Sequence, residues 1–124
     1  MSRTVPAPFA ETVERVKALL RDEGFGVLTE IDVQGTMQQK LGKDMRPYVI
    51  LGACNPPLAS RALDAEPEIG LLLPCNVVVA EREGGTWVGA VNPQSLVPRS
   101  GSGDLQAVAD EADVRLRRVL ERLA

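Results

Sequence analysis

Two Cys-Asn pairs are the residues in this chain whose types could form a chemical site. Cys54-Asn55 and Cys75-Asn76 each adjoin an apolar run of the sequence. Thiolates are soft metal ligands and nucleophiles, so two cysteines brought together could hold copper or zinc, or cycle between dithiol and disulfide. We therefore take Cys54, Asn55, Cys75 and Asn76 as candidate ligand-binding residues, and Cys54 and Cys75 as candidate metal ligands.

Ordinary structural roles compete with these chemical ones. Cysteine is often buried as a small hydrophobic residue. Asn55 precedes Pro56, an order that favours a helix cap followed by the first helical position. Asn76 stands at the start of a predicted strand, where asparagine is uncommon, so its side chain is expected to contact a ligand, a partner or the backbone.

The composition limits which chemistry is open to the chain. The 124 residues contain two cysteines and no histidine, which excludes Ser-His-Asp and Cys-His catalysis and any His-ligated metal site within one chain. Zinc normally takes four ligands, so two thiols would need carboxylates or a second copy to complete a site. The sequence assigns no catalytic residue and identifies no cofactor.

Charge and hydropathy bear on partners and location. The net charge of −3 and the aromatic content of 3% disfavour nucleic-acid binding, which relies on basic residues and base stacking. No apolar stretch approaches the length of a membrane span, and no early apolar run follows a basic start. These features predict a cytoplasmic protein without a nucleic-acid or membrane partner.

The hydrophobic spacing predicts an α+β fold: a single compact domain over 1–124 with a mixed or antiparallel sheet of about four strands. We expect a core over 8–92, a loop over 92–103 and a C-terminal helix over 104–123. Apolar residues three and four apart predict helices, and alternation or unbroken apolar runs predict strands. The main helices are predicted near 9–23, 56–66 and 104–123, a short helix near 34–42, and strands near 25–33, 48–53, 75–82 and 86–91.

The direction of two strands decides whether the cysteines can meet. Cys54 ends one predicted strand and Cys75 begins the next. A parallel crossover would leave them at opposite ends of the sheet, roughly 15 Å apart by the rise per residue. Antiparallel strands would instead bring both Cys-Asn pairs to one edge, and the short intervening helix leaves both arrangements open.

The motif around these pairs resembles the bacterial and archaeal family known as domain of unknown function 302. The matching residues include Cys54-Asn55-Pro56, Ala62-Leu63, Pro67 and the run from Gly70 to Val79, and similarity extends over most of 8–92. The resemblance implies a compact α and β domain that self-associates. It transfers no catalytic residues.

Three functional hypotheses follow. The first is a homodimeric, non-catalytic module that binds a small ligand or soft metal ion near the two Cys-Asn pairs. The second is a thiol-dependent enzyme or redox protein that uses Cys54 or Cys75. The third is a structural or interaction protein whose Trp87 hairpin and terminal helix make the dimer.

Overall fold

The chain is organised around one antiparallel sheet with the strand order β1-β5-β4-β3-β2. The computed structural model describes residues 1–97 and 103–123. This confirms the α+β class and settles the choice between a mixed and an antiparallel sheet. The strands are β1 (Ser2–Val5), β2 (Gly26–Asp32), β3 (Tyr48–Cys54), β4 (Cys75–Arg82) and β5 (Gly85–Ala90).

The expected count of about four strands is corrected to five by β1, which lies at one edge and pairs antiparallel with β5. β1 has only four residues, and Val5 is its one buried side chain. A strand this short carries too little alternation to be recognised. Its position depends on backbone pairing with β5, a partner more than 80 residues away in the chain.

In residues 1–97 and 103–123, four α-helices and two short 3-10 helices accompany the sheet. The helices predicted near 9–23 and 56–66 are found within one residue of those bounds, and α4 begins one residue earlier and ends two residues earlier than predicted. The elements are α1 (Phe9–Asp22), α2 (Val33–Leu41), α3 (Pro56–Ala65), α4 (Gly103–Glu121) and the 3-10 helices Pro67–Leu72 and Pro93–Leu96.

One face of the sheet forms the core with α1, α3 and α4. In β3, Val49, Leu51 and Ala53 are buried, whereas Tyr48 and Ile50 on the opposite face are half-buried. β3 is an interior strand, as expected, but it is not fully covered on both faces. The buried face packs against the apolar stripes of the helices, and this burial is the main stabilising contribution to the fold.

The turn between α1 and β2 also follows from the sequence. Gly24 adopts a φ of +83°, a left-handed conformation that favours glycine. Its N–H donates to the carbonyl of Arg21, and the N–H of Phe25 donates to that of Leu20. These bonds close the helix and direct Phe25 into the core.

The segment predicted as a loop over 92–103 contains the 3-10 helix Pro93–Leu96. The rest of that prediction falls largely on 98–102, which lie outside the described residues. α4 begins at Gly103, with Asp104 in its first turn, and buries an apolar face that includes Leu105, Val108 and Leu116.

Candidate ligand-binding site

Antiparallel pairing of β3 with β4 brings the two cysteines to the same end of the sheet. Ala53 lies opposite Cys75, and Cys54 follows as the last residue of β3. The ten-residue helix α3 and the 3-10 helix Pro67–Leu72 return the chain to the edge that it left. Of the two arrangements left open by the sequence, the structure therefore adopts the one in which the thiols are neighbours.

A cavity of about 360 Å³ opens at this end of the sheet, and we call it the apolar cavity. Cys54, Asn55 and Cys75 contribute to its wall together with side chains from α3, α4 and both 3-10 helices. None of its described lining residues is Asp, Glu, Lys or Arg. The wall is therefore suited to an apolar molecule, with the Asn55 amide as its most polar side chain.

Asn55 has the capping role that its position predicts. Its Oδ1 accepts a hydrogen bond of 3.3 Å from the N–H of Leu58, and its own carbonyl accepts one from the N–H of Ala59. The side chain is 7% exposed. The cap fixes the start of α3 against the end of β3, so it also fixes one wall of the cavity.

The two thiols differ in their surroundings. Cys54 is half-buried and Cys75 is buried, and both are free cysteines. Burial, with a smaller contribution from nearby Cys54, raises the pKa of the Cys75 thiol. A nucleophilic cysteine requires the opposite shift, because the thiolate is the reactive form.

Asn76 lies apart from the other three candidates. It is exposed, and its partner in the sheet is Gly52, on the face opposite the core. It is not among the residues that line the apolar cavity. Three of the four candidate ligand-binding residues therefore share one cavity wall.

Much of that wall comes from residues that the sequence did not single out. Ile69 and Pro93 belong to the two 3-10 helices, and Val108 and Ala112 belong to α4. The apolar stripe of α4 was visible in the sequence, but stripes of this kind usually signal core packing. No local motif marks these residues as cavity-forming.

The pKa of Cys75 leads to a pH prediction. Because the folded state raises this pKa above its ordinary value of 9.0, its contribution to stability is fully present below that pH. The contribution is lost as the pH rises from there through the folded value. In urea titrations across alkaline pH, we expect Cys75→Ala to lose stability less steeply than the unsubstituted protein. Parallel slopes for the two proteins would contradict this.

Metal binding has limited support from the geometry. Among residues 1–97 and 103–123, no group of three or more His, Cys, Asp or Glu side chains is placed to hold an ion. Cys54 and Cys75 carry the only two thiols in the sequence. A complete zinc site would need further ligands from elsewhere.

An antiparallel five-stranded sheet with its core on one face and an apolar cavity at one end defines a small α+β domain. The chain belongs to the family described as domain of unknown function DUF302, whose model matches residues 1–123. That match includes the C-terminal helix and so extends beyond 8–92, the range in which the sequence motifs resemble the family. Within the described part of the chain, no helix is long and apolar enough to cross a membrane.

A solved structure from the same family is similar to this one. The crystal structure of an uncharacterized conserved DUF302 protein from Bacillus stearothermophilus has 36% sequence identity and a TM-score of 0.90. The alignment covers 100% of this chain and 97% of that chain. A comparison with curated proteins gives no match.

Proposed function

We propose that this protein is a non-catalytic binding module for a small organic molecule with a substantial apolar part, which occupies the apolar cavity. The observation that carries the proposal is a cavity of about 360 Å³ whose described lining has no charged side chain. Small-molecule sites are typically concave and mostly apolar, with volumes of roughly 300–1,000 Å³.

The exposed leucines near the cavity support an apolar ligand. Leu28 and Leu63 line the cavity and are 68% and 42% exposed, so they lie where it meets solvent. Leu71, in the adjoining 3-10 helix, is 87% exposed. Because these leucines lie at the opening or beside it, an apolar molecule can enter the cavity without passing charged side chains.

An organic ligand fits this site better than a soft metal ion or a thiol reaction. Among the described residues, the two thiols have no third His, Cys, Asp or Glu side chain placed to share an ion with them, which weighs against a bound zinc ion. The raised pKa of Cys75 keeps its thiol protonated near neutral pH, which weighs against its use as a nucleophile. Cys75 therefore serves as a small, polarizable part of the wall.

Isothermal titration with 1-octanol tests the cavity. Ala59 lines it, whereas Ser60, the next residue of α3, is exposed and does not. We expect Ala59→Phe to weaken octanol binding by at least about tenfold, because the added ring fills space that the ligand needs, and tenfold corresponds to about 1.4 kcal/mol. Ser60→Phe adds the same ring to the same helix and is expected to leave binding unchanged. Failure of the unsubstituted protein to bind, or equal binding by Ala59→Phe, would overturn the proposal.

We also propose that the protein self-associates through its outer sheet face, which we define by Ile31, Ile50, Val78 and Trp87. Register places these residues on the side away from the core. Ile31 is 49% exposed, and the guanidinium of Arg82 lies 4.2 Å from the centre of the Trp87 ring.

The largely uncharged outer sheet face suits contact between copies that each carry a net charge of −3. Light scattering is expected to give the mass of a dimer, which Ile31→Lys converts to a monomer. A monomer for the unsubstituted protein would contradict self-association.

A further inference from the structure

A second depression lies beside the apolar cavity and differs from it in chemistry. It has a volume of about 530 Å³, and we call it the polar cleft. Asn55 and Leu58 line both the cleft and the cavity, so the two share a wall. The remaining residues of the cleft are Gly24, Pro57, Arg61, Ala107, Glu111 and Arg115.

Asn55 presents an unused hydrogen-bond donor on this side. Its Oδ1 is occupied by the N–H of Leu58, but its Nδ2 has no hydrogen-bond partner in the described part of the chain. The residue is 7% exposed, and no buried side-chain nitrogen or oxygen atom of the described residues lacks a hydrogen-bond partner, so this Nδ2 is the part of Asn55 that reaches solvent. A ligand with an acceptor oxygen would satisfy this donor.

Gly24 leaves room for the Asn55 amide and the Arg115 guanidinium to lie next to each other. A β-carbon at Gly24 would lie 3.0 Å from Asn55 Nδ2 and 3.1 Å from Arg115 Nη1. The absence of that carbon leaves a hollow over the glycine with an amide nitrogen and a guanidinium nitrogen at its edge. The Asn55 amide therefore lies close to the Arg115 guanidinium, so one acceptor group could contact both side chains.

Arg115 is fixed by two hydrogen bonds to the protein and keeps further N–H groups that can donate to a ligand. Its Nε donates to Glu111 Oε1 and its Nη1 donates to the carbonyl of Glu23, both at 2.8 Å. A guanidinium has five N–H groups, and its Nη2 has no partner in residues 1–97 and 103–123. Fixing Arg115 in advance lowers the entropy that a ligand would otherwise lose in ordering it.

The start of α3 adds a positive potential without supplying backbone donors. Pro56 and Pro57 have no N–H, and the next two N–H groups are bonded to Asn55. The helix dipole still favours negative charge at this end. An anion in the cleft would therefore be held by side chains, namely those of Asn55, Arg61 and Arg115.

The charge of the cleft indicates the class of anion. Arg61 and Arg115 contribute two positive charges and Glu111 contributes one negative charge, which leaves a net charge of +1. A carboxylate matches this balance, whereas Glu111 would repel the second charge of a phosphate dianion. A planar carboxylate also accepts from a guanidinium and an amide together.

We propose that the polar cleft binds the carboxylate of the ligand whose apolar part occupies the apolar cavity, so that the ligand class is an amphipathic monocarboxylic acid. This inference rests on the proposed function, because it assigns the head group of the same ligand. Asn55 and Leu58 lie at the junction between the head and the apolar part.

Calorimetric titration with octanoate and 1-octanol tests the head group separately from the cavity. We expect octanoate to bind the unsubstituted protein at least about tenfold more tightly than octanol, since hydrogen bonds to charged groups contribute about 1.5–3 kcal/mol. Arg115→Gln is expected to remove this advantage while octanol binding stays within about twofold. Arg117→Gln is the matched control, since Arg117 pairs with Asp113 and does not line the cleft.

Asn55→Asp provides a second variant that keeps a capping oxygen while replacing the amide donor with a carboxylate. We expect it to weaken octanoate binding by at least about tenfold. If octanol binds but octanoate binds no more tightly, or if Arg115→Gln and Asn55→Asp both retain octanoate affinity, the carboxylate inference is overturned and the cavity proposal stands. If neither compound binds, both are overturned.

Discussion

Leu116→Ala is expected to lower the free energy of unfolding by about 2–5 kcal/mol, the range for truncating a buried leucine. Leu116 is 1% exposed and lies in the C-terminal half of α4, within the cluster that joins this helix to the sheet. The loss combines the transfer of the removed carbon atoms with the cavity that they leave. Urea denaturation followed by circular dichroism measures the change.

Val114 provides the control on the same helix, because its side chain is 44% exposed. Val114→Ala should change the free energy of unfolding by no more than about 0.5 kcal/mol.

The shape of the unfolding transition shows whether α4 unfolds together with the sheet. If α4 is part of one cooperative domain with the sheet, Leu116→Ala shifts a single transition; an unchanged main transition with early loss of helix would show that α4 unfolds separately.

Polar bonds tie α4 to the rest of the molecule and support a single transition. Arg3 in β1 donates from Nη1 to the carbonyls of Leu120 and Glu121, and Arg115 donates to the carbonyl of Glu23. These contacts connect the C-terminal helix to β1 and to the end of α1. Because they join segments about 90 to 120 residues apart, no local sequence pattern predicts them.

The elements with strong local signals were predictable from the sequence. The three- and four-residue spacing of Val13, Val16 and Leu20 identifies α1, and the glycines after Glu83 identify the hairpin between β4 and β5. Pairing between β3 and β4 was not predictable in the same way. Its direction depends on the path of α3 and the 3-10 helix that follows, which is a tertiary property.

Parity within a strand explains why Asn76 lies apart from the cavity. Successive residues of a strand point to opposite faces, so Cys75 lies on the core face of β4 with Val77 and Val79, whereas Asn76 is exposed on the other face. This signal was present once the strand was assigned. Cys54 and Asn55 escape the rule because β3 ends between them, and the chain turns there into α3.

The apolar cavity could not be predicted from local sequence patterns. Its walls include Phe25 before β2, Ile69 in a 3-10 helix and Val108 in α4. Each of these reads as a core residue in its own segment. Whether packed segments leave a gap between them depends on side-chain volumes and crossing geometry across the whole domain.

Gly52→Ala is expected to destabilise the protein by about 1–3 kcal/mol, the typical cost of forcing an extra methyl group into packed space. A β-carbon at Gly52 would overlap Thr29 Oγ1 on the neighbouring strand β2 and would lie 2.9 Å from Pro74 Cγ. Gly26→Ala is the control, because a β-carbon there meets no atom within 4 Å. It should stay within about 0.5 kcal/mol of the unsubstituted protein.

A double-mutant cycle with Thr29→Ala tests whether contact with Thr29 causes the destabilisation by Gly52→Ala. Removing Oγ1 opens the space that the new methyl group needs, so Gly52→Ala should cost less in the Thr29→Ala background, by at least about 0.5 kcal/mol. If the two substitutions change the free energy of unfolding additively in urea titrations, contact with Thr29 Oγ1 is not the cause of the destabilisation. Pro74 bounds Gly52 on one side and lines the apolar cavity on the other. We expect any destabilisation that remains in the double variant to come from the contact between the new methyl group and Pro74. Displacement of Pro74 would change the cavity wall, so octanol binding should weaken together with stability.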